Sequence, residues 1–375
     1  MWMQFSLISC GLLLLSAASA KAADINDYII CDHESGEEAR CVDKSHCKLP
    51  ARPLDLGTII EPVEGGCTII EICCPESQIN LIPESVSLVT KPVGCGYSQY
   101  SASKPKDLAS DYNYASYGEF PWMVALLNKT KPDAKFHEAY IGGGTLIDAS
   151  VVLTVAHKVD EISASDLKIR AGEWDTTTGD EIYGHQERNV KKIIIHEEFQ
   201  KINAHYDFAL IILEKPFDLD NALHIGVACL ERDLPAPGTQ CYSMGWGEDF
   251  KEKHRGENKY SNILKKLTLP LVDGRICRNQ YRSSELGPTY SLHKTLTCAG
   301  GVPNVDTCLG DGGSSLVCPI PDKTYVRYSV VGMVVYGLGC GRNLPGVYAK
   351  IPEAYDWVQS KMVSEGFTIM AFKMS

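Results

Sequence analysis

Six cysteines crowd into the 44 residues from Cys31 to Cys74, with Cys41, Cys47, Cys67 and Cys73 between them. A stretch that short, with only scattered apolar residues, cannot bury enough surface to hold a fold, so disulfides must hold it. Six cysteines allow many pairings, and spacing alone does not choose among them. The 375-residue chain has fifteen cysteines in all; Cys10 falls in an N-terminal apolar segment, leaving fourteen. An even number at this density suits an oxidising compartment. A zinc site is the poorer reading, because there is no CxxC pair and the histidines do not gather near the cysteines.

The N-terminal segment reads as a secretory signal over residues 1–20. Its apolar core runs from Phe5 to Leu15, and Ala18 and Ala20 offer a cleavage site before Lys21. The run is too short for a membrane anchor, which needs about 20 apolar residues, and no later segment is long enough either. The expectation is a secreted, extracellular protein, in which Asn128-Lys129-Thr130 is a usable glycosylation sequon. A net charge of −11 argues against nucleic acid as a partner, since phosphate binding needs basic patches.

After the cysteine-dense stretch, residues 75–116 read as a linker rich in Ser, Pro, Lys and Tyr, carrying the isolated Cys95. From Tyr117 the pattern changes to short β-like runs between polar turns: Trp122 to Leu127, Val151 to Ala156, Ile193 to Ile195, Phe208 to Leu213 and Val330 to Tyr336. The stretch from Leu264 to Leu271 nearly alternates, as a half-buried strand should. Such spacing without alternating helices indicates an all-β barrel or sandwich. One helix is expected at the end, started by Pro352, with Ala354, Trp357, Val358 and Met362 on one face.

Three segments carry chemistry-bearing residues in the order His, Asp, glycine-rich turn. An apolar run, Val151-Val152-Leu153-Thr154-Val155-Ala156, delivers His157; His205-Tyr206-Asp207-Phe208 sends an acid into a buried strand; and the third reads Asp306-Thr307-Cys308-Leu309-Gly310-Asp311-Gly312-Gly313-Ser314-Ser315. Between and around them lie Gly118-Glu119-Phe120-Pro121-Trp122, Gly143-Gly144-Thr145-Leu146, Gly245-Trp246-Gly247, Cys298-Ala299-Gly300-Gly301 and Pro345-Gly346-Val347-Tyr348-Ala349. In this order they resemble the chymotrypsin/trypsin family, over roughly Tyr117 to Val363.

That resemblance implies a trypsin-like double β-barrel with a C-terminal helix over residues 117–375. It places His157 as the base and Asp207 as the acid that orients it. It also places Gly312 where the nucleophilic serine belongs. Glycine has nothing to acylate, so the expectation is a pseudo-protease rather than an enzyme. Ser314 lies two residues on, on a turn where about 1 Å of misplacement is costly. Loss of the serine in a comparable protease costs about a millionfold. His157 and Asp207 then remain as an inherited pair, and the backbone N–H groups of Gly310 and Gly312 as a relic of the oxyanion hole.

Further departures follow from the same resemblance. Gly142 and Lys158 stand where the family carries a bonded cysteine pair beside the histidine loop. No apolar Ile-Val-Gly-Gly-like start lies between Cys95 and Gly118, and Lys106-Asp107-Leu108 sits about where the activating cut should fall. The family's new α-ammonium would pair with Asp311; that switch is expected to be missing. Asp306 takes the position that selects Lys and Arg, with Gly337 and Gly346 lining the pocket and Tyr336 in place of the usual tryptophan. The implied bridges are Cys95–Cys229, Cys241–Cys318, Cys277–Cys298 and Cys308–Cys340. Glu173, followed by Asp180, Glu181 and Glu187, lies where some relatives bind calcium. A solvated acidic loop is the plainer reading, and no cofactor is expected.

Residues 31–74, ending in Cys73-Cys74-Pro75, resemble the clip domain of arthropod serine proteases, which implies Cys31–Cys73, Cys41–Cys67 and Cys47–Cys74. Clip, barrel and Gly312 together resemble the clip-domain serine protease homologues of insect haemolymph. The resemblance implies a cofactor or adaptor that binds prophenoloxidase and its activating proteases to permit melanisation. Two alternatives remain: a venom-type antagonist of the same cascade, and a recognition or adhesion protein that binds microbial surface glycans.

Overall fold

The computed structural model describes residues 29–32, 36–43, 47, 67, 71–79, 93–98, 114–131, 134–177, 181, 183–248, 260–321 and 326–373. The signal segment, Lys106-Asp107-Leu108 and Asp180 lie outside the described residues. The chain divides into two compact units, Met1–Thr90 and Lys91–Ser375.

The first unit is a three-stranded antiparallel sheet in the order β1 (Ile30–Asp32), β2 (Glu38–Asp43), β3 (Glu71–Pro75). Its small core holds Cys31, Ala39 and Cys41, so sulfur replaces the missing aliphatic side chains. Disulfides Cys31–Cys73, Cys41–Cys67 and Cys47–Cys74 close it. An ion pair, Arg40 Nε to Glu76 Oε1 at 2.6 Å, ties β2 to the turn after β3.

The second unit is a trypsin-like pair of barrels. Strands β4 (Met123–Asn128), β5 (Tyr140–Asp148), β6 (Val151–Thr154), β7 (Leu167–Ala171), β8 (Gln186–Ile195) and β9 (Ala209–Leu213) close a barrel in the order β4-β5-β6-β9-β8-β7. The runs of β6 and β9 are buried along their whole length, which accounts for their nearly continuous apolar character. The other sheet adds β10 (Cys229–Leu230), β11 (Gln240–Gly245), β12 (Lys265–Val272), β13 (Leu296–Gly300), β14 (Ser315–Ile320), β15 (Arg327–Tyr336) and β16 (Pro345–Lys350). Pairing of β15 with β16 closes six of these strands into a ring, with β10 running parallel on its outside.

The C-terminal helix, Ile351–Ser364, carries Pro352 in its first turn and buries Ile351, Ala354, Tyr355, Val358 and Met362. Trp357 stands at the edge of that face, where its Nε1–H donates to Glu197 at 2.8 Å. A second helix, Gly274–Arg282, was not expected from the sequence. Asp273 caps it by accepting from the Arg275 and Ile276 N–H groups at 2.8 and 3.2 Å, a start signal that the strand pattern around it masks. Disulfide Cys277–Cys298 pins this helix to β13, and Cys241–Cys318 joins β11 to β14. Residues 93–98 are strapped to the second barrel: Cys95 bonds Cys229, and the Gly96 and Ser98 N–H groups donate to Val227 and Val326.

Candidate functional site

Strand register puts the histidine and the acid together. Strands β6 and β9 are antiparallel neighbours with Thr154 opposite Ala209, so the end of one and the approach to the other share an edge. His157 sits on the single turn Ala156–Lys158 that follows β6. Asp207, fully buried, precedes β9 and grips that turn twice. Its Oδ1 accepts the His157 N–H at 2.9 Å and its Oδ2 lies 2.6 Å from Nδ1. A carboxylate accepts, so Nδ1 carries the proton, and the other ring nitrogen, Nε2, faces the glycine-rich turn.

That turn leads into β14 and is held from both barrels. The Gly143 N–H donates to the Gly312 carbonyl at 3.0 Å, and the Gly313 N–H donates to Val334 at 2.9 Å. Gly310 and Gly313 have φ of +94° and +84°, where a side chain is strained. Gly312 is not in that region, so the backbone does not demand a glycine there. Its neighbours occupy the space instead. A Cβ at Gly312 would lie 3.4 Å from His157 Nε2, but 2.5 Å from Lys158 Cε and 3.4 Å from Lys158 Nζ. A Cβ at Gly142 would meet the Gly312 carbonyl oxygen at 2.5 Å and the same lysine stem at 3.3 Å. Three positions where the chain departs from the trypsin pattern therefore meet in one place: the Lys158 side chain fills the room left by Gly142 and Gly312.

Ser314 does not reach the cleft. It is fully buried, with its Oγ packed against Gly143. Gly312, which the sequence pattern puts in the nucleophile's position, carries no side chain.

Asp311 accepts from the Gly247 and Cys308 N–H groups, each at 2.9 Å, and from Lys265 Nζ at 2.8 Å. Lys265 also donates to the Glu248 carbonyl at 2.8 Å. Asp311 is thus paired with a cation from within the chain. Sequence reasoning missed it, although a signal was present: in the alternating strand from Leu264, Lys265 falls in phase with the buried Leu267, Leu269 and Leu271.

Asp306 is buried. It accepts the Gly341 N–H at 3.1 Å, and burial pushes its carboxyl up to about 7. Gly346 lies on β16, against the Tyr348 ring, and a Cβ at Gly337 would find open space on all sides but one, the Gly339 carbonyl oxygen at 3.7 Å. Tyr336 stands behind, its hydroxyl 3.0 Å from that of Tyr290. Disulfide Cys308–Cys340 braces this wall.

Among the described residues of the acidic loop, Glu173 and Glu187 are held by basic side chains. Arg170 reaches Glu173 at 2.8 Å and Glu187 at 2.7 Å, and Lys168 reaches Glu187 at 2.8 Å, so the two carboxylates already have cationic partners. Burial raises the Glu173 carboxyl to about 7. Asn128 ends β4, with the exposed Thr130 turned back on it, N–H to Oδ1 at 2.9 Å.

Residues 112–358 match the Trypsin family. The chain is 42% identical over 300 residues to phenoloxidase-activating factor 2 of Galleria mellonella, covering 78% of this chain and 96% of that one. It is 37% identical over 265 residues to inactive CLIP domain-containing serine protease A28 of Anopheles gambiae, covering 69% of this chain and 65% of that one. It is 33% identical over 298 residues to the inactive CLIP domain-containing serine protease A8 of the same species, covering 78% and 77%. With a disulfide-held N-terminal sheet and a trypsin-like pair of barrels, the chain belongs to the clip-domain serine protease homologues of the trypsin family.

Proposed function

We propose that this protein is a secreted, non-catalytic cofactor or adaptor of an arthropod innate immune protease cascade, binding prophenoloxidase and the clip-domain proteases that activate it. The observation that carries the non-catalytic part is the meeting of Gly312 and Lys158. The base and its orienting acid are in place, but a lysine stem occupies the space in which a hydroxyl would face His157. Without a nucleophile, an aligned His–Asp pair has nothing to activate. The names of the relatives support the cascade: one is a phenoloxidase-activating factor and others are called inactive. Two disulfide-held units on one chain favour action by binding, since two contacts on one scaffold raise effective concentration without chemistry.

Reconstitution tests this. Prophenoloxidase and its activating protease are incubated with and without the full chain, and phenoloxidase activity is followed. A cofactor raises the activity in proportion to its concentration. Inhibition favours the antagonist, and no effect alongside direct binding to microbial glycans favours the recognition protein.

A further inference from the structure

The lysine that fills the nucleophile's place brings a charge into the cleft. Lys158 is half-buried, and burial pulls its ammonium below the usual lysine range. Its two nearest sources of negative charge are already engaged. Asp311 is taken by Lys265 and two backbone N–H groups, and Asp207 by the backbone and ring of His157. Among the described residues, no carboxylate forms an ion pair with Lys158, and the Gly310 and Gly312 N–H groups have no backbone acceptor. A partly desolvated cation beside unpaired donors is a site that an anion completes.

The position defines which anion fits. In a trypsin-like cleft the scissile carbonyl oxygen points at the N–H groups of the glycine turn, and the leaving nitrogen lies on the far side of the nucleophile. A chain that ends at that residue has the same carbonyl oxygen and a second oxygen in place of the nitrogen. The first would meet the Gly310 and Gly312 N–H groups, and the second the Lys158 ammonium. By the resemblance to the trypsin family, Asp306 would take a basic terminal side chain.

We propose that the cleft is a binding site for a peptide carboxylate anchored by Lys158, fitted best by the new C-terminus that a protease leaves when it cuts after Arg or Lys. The protein then recognises the product of the reaction its relatives with a serine perform. This rests on the non-catalytic reading, because a working nucleophile would need the room that Lys158 takes.

The test is calorimetry on the full chain with four short acetylated peptides. One ends in Arg with a free carboxylate, and the second is its C-terminal amide. The third is a free acid ending in Ala, and the fourth has an internal Glu and an amidated end. The Arg acid is expected to bind at least about tenfold more tightly than its amide, equivalent to about 1.4 kcal/mol. Lys158→Met, which keeps the stem, is expected to bring the acid down to the amide's level; Lys158→Arg, which keeps the charge, should retain part of the preference. Equal binding of acid and amide, no binding of any peptide, or a preference that survives Lys158→Met in protein with an unchanged circular dichroism spectrum overturns the proposal. If the internal-Glu peptide matches the Arg acid, the preference for a new C-terminus is overturned. The Ala acid measures the share due to Asp306. Cleavage of the Arg amide, seen by mass spectrometry, would instead sink the non-catalytic reading.

Discussion

Lys265 Nζ lies 2.8 Å from Asp311 Oδ2, in a pair whose side chains are only 5% and 1% exposed. In trypsin-like proteases the activating cut brings a new chain end to this aspartate; here Asp311 already has a cation, on the first residue of β12. Removing one partner of a buried pair strands the other charge. Lys265→Met is therefore expected to lower stability by about 3–5 kcal/mol, and Lys265→Met with Asp311→Asn to recover most of that. Urea denaturation of the three proteins checks it. A single substitution as stable as the parent would show that the pair does not brace this turn.

Gly312→Ser restores a hydroxyl but meets the Lys158 stem, which must swing away. A displaced stem, a histidine loop without its disulfide and a misplaced attack geometry each act on the same step. The variant is expected to stay at least about a hundredfold below ordinary trypsin-like turnover of Arg esters. Gly312→Ser with Lys158→Ala should react faster than the single variant with a serine-directed phosphonate. Equal labelling of both would mean that Lys158 does not obstruct the position.

Much of this site was legible in the sequence, and the limits of that reading have physical causes. His157, Asp207 and Gly312 each announce themselves locally: a polar residue ends an apolar strand, an acid enters one, and glycines crowd a turn. Lys158 and Gly142 were legible only as absences, because a side chain filling another's space is a contact between distant segments. Lys265 could have been found, since a lysine in phase with three inward leucines must be buried and hence paired. Alternation predicted the strand, but the identity of the partner across the barrel needed the fold.

Asp306 holds its proton up to about 7, because burial disfavours the carboxylate. Between the ordinary carboxylate range and about 7, the folded state binds more protons than the unfolded one, so stability falls as pH rises through that window. Asp306→Asn should flatten this slope. A benzamidinium probe needs the ionised form, and its affinity is expected to rise about tenfold from pH 6 to pH 8 as the ionised fraction grows. Affinity independent of pH would place the probe away from Asp306.

The central claim is that a trypsin-like cleft with an aligned His157–Asp207 pair performs no hydrolysis, because nothing stands at the nucleophile's place. The most direct measurement is turnover of Arg and Lys ester substrates by purified full chain, after contaminating proteases have been inactivated with a serine-reactive fluorophosphonate. The account predicts no hydrolysis above buffer, and no labelling of the protein by the reagent at the turn from Gly310 to Ser315. Turnover that disappears in His157→Ala, or labelling at that turn, would contradict it.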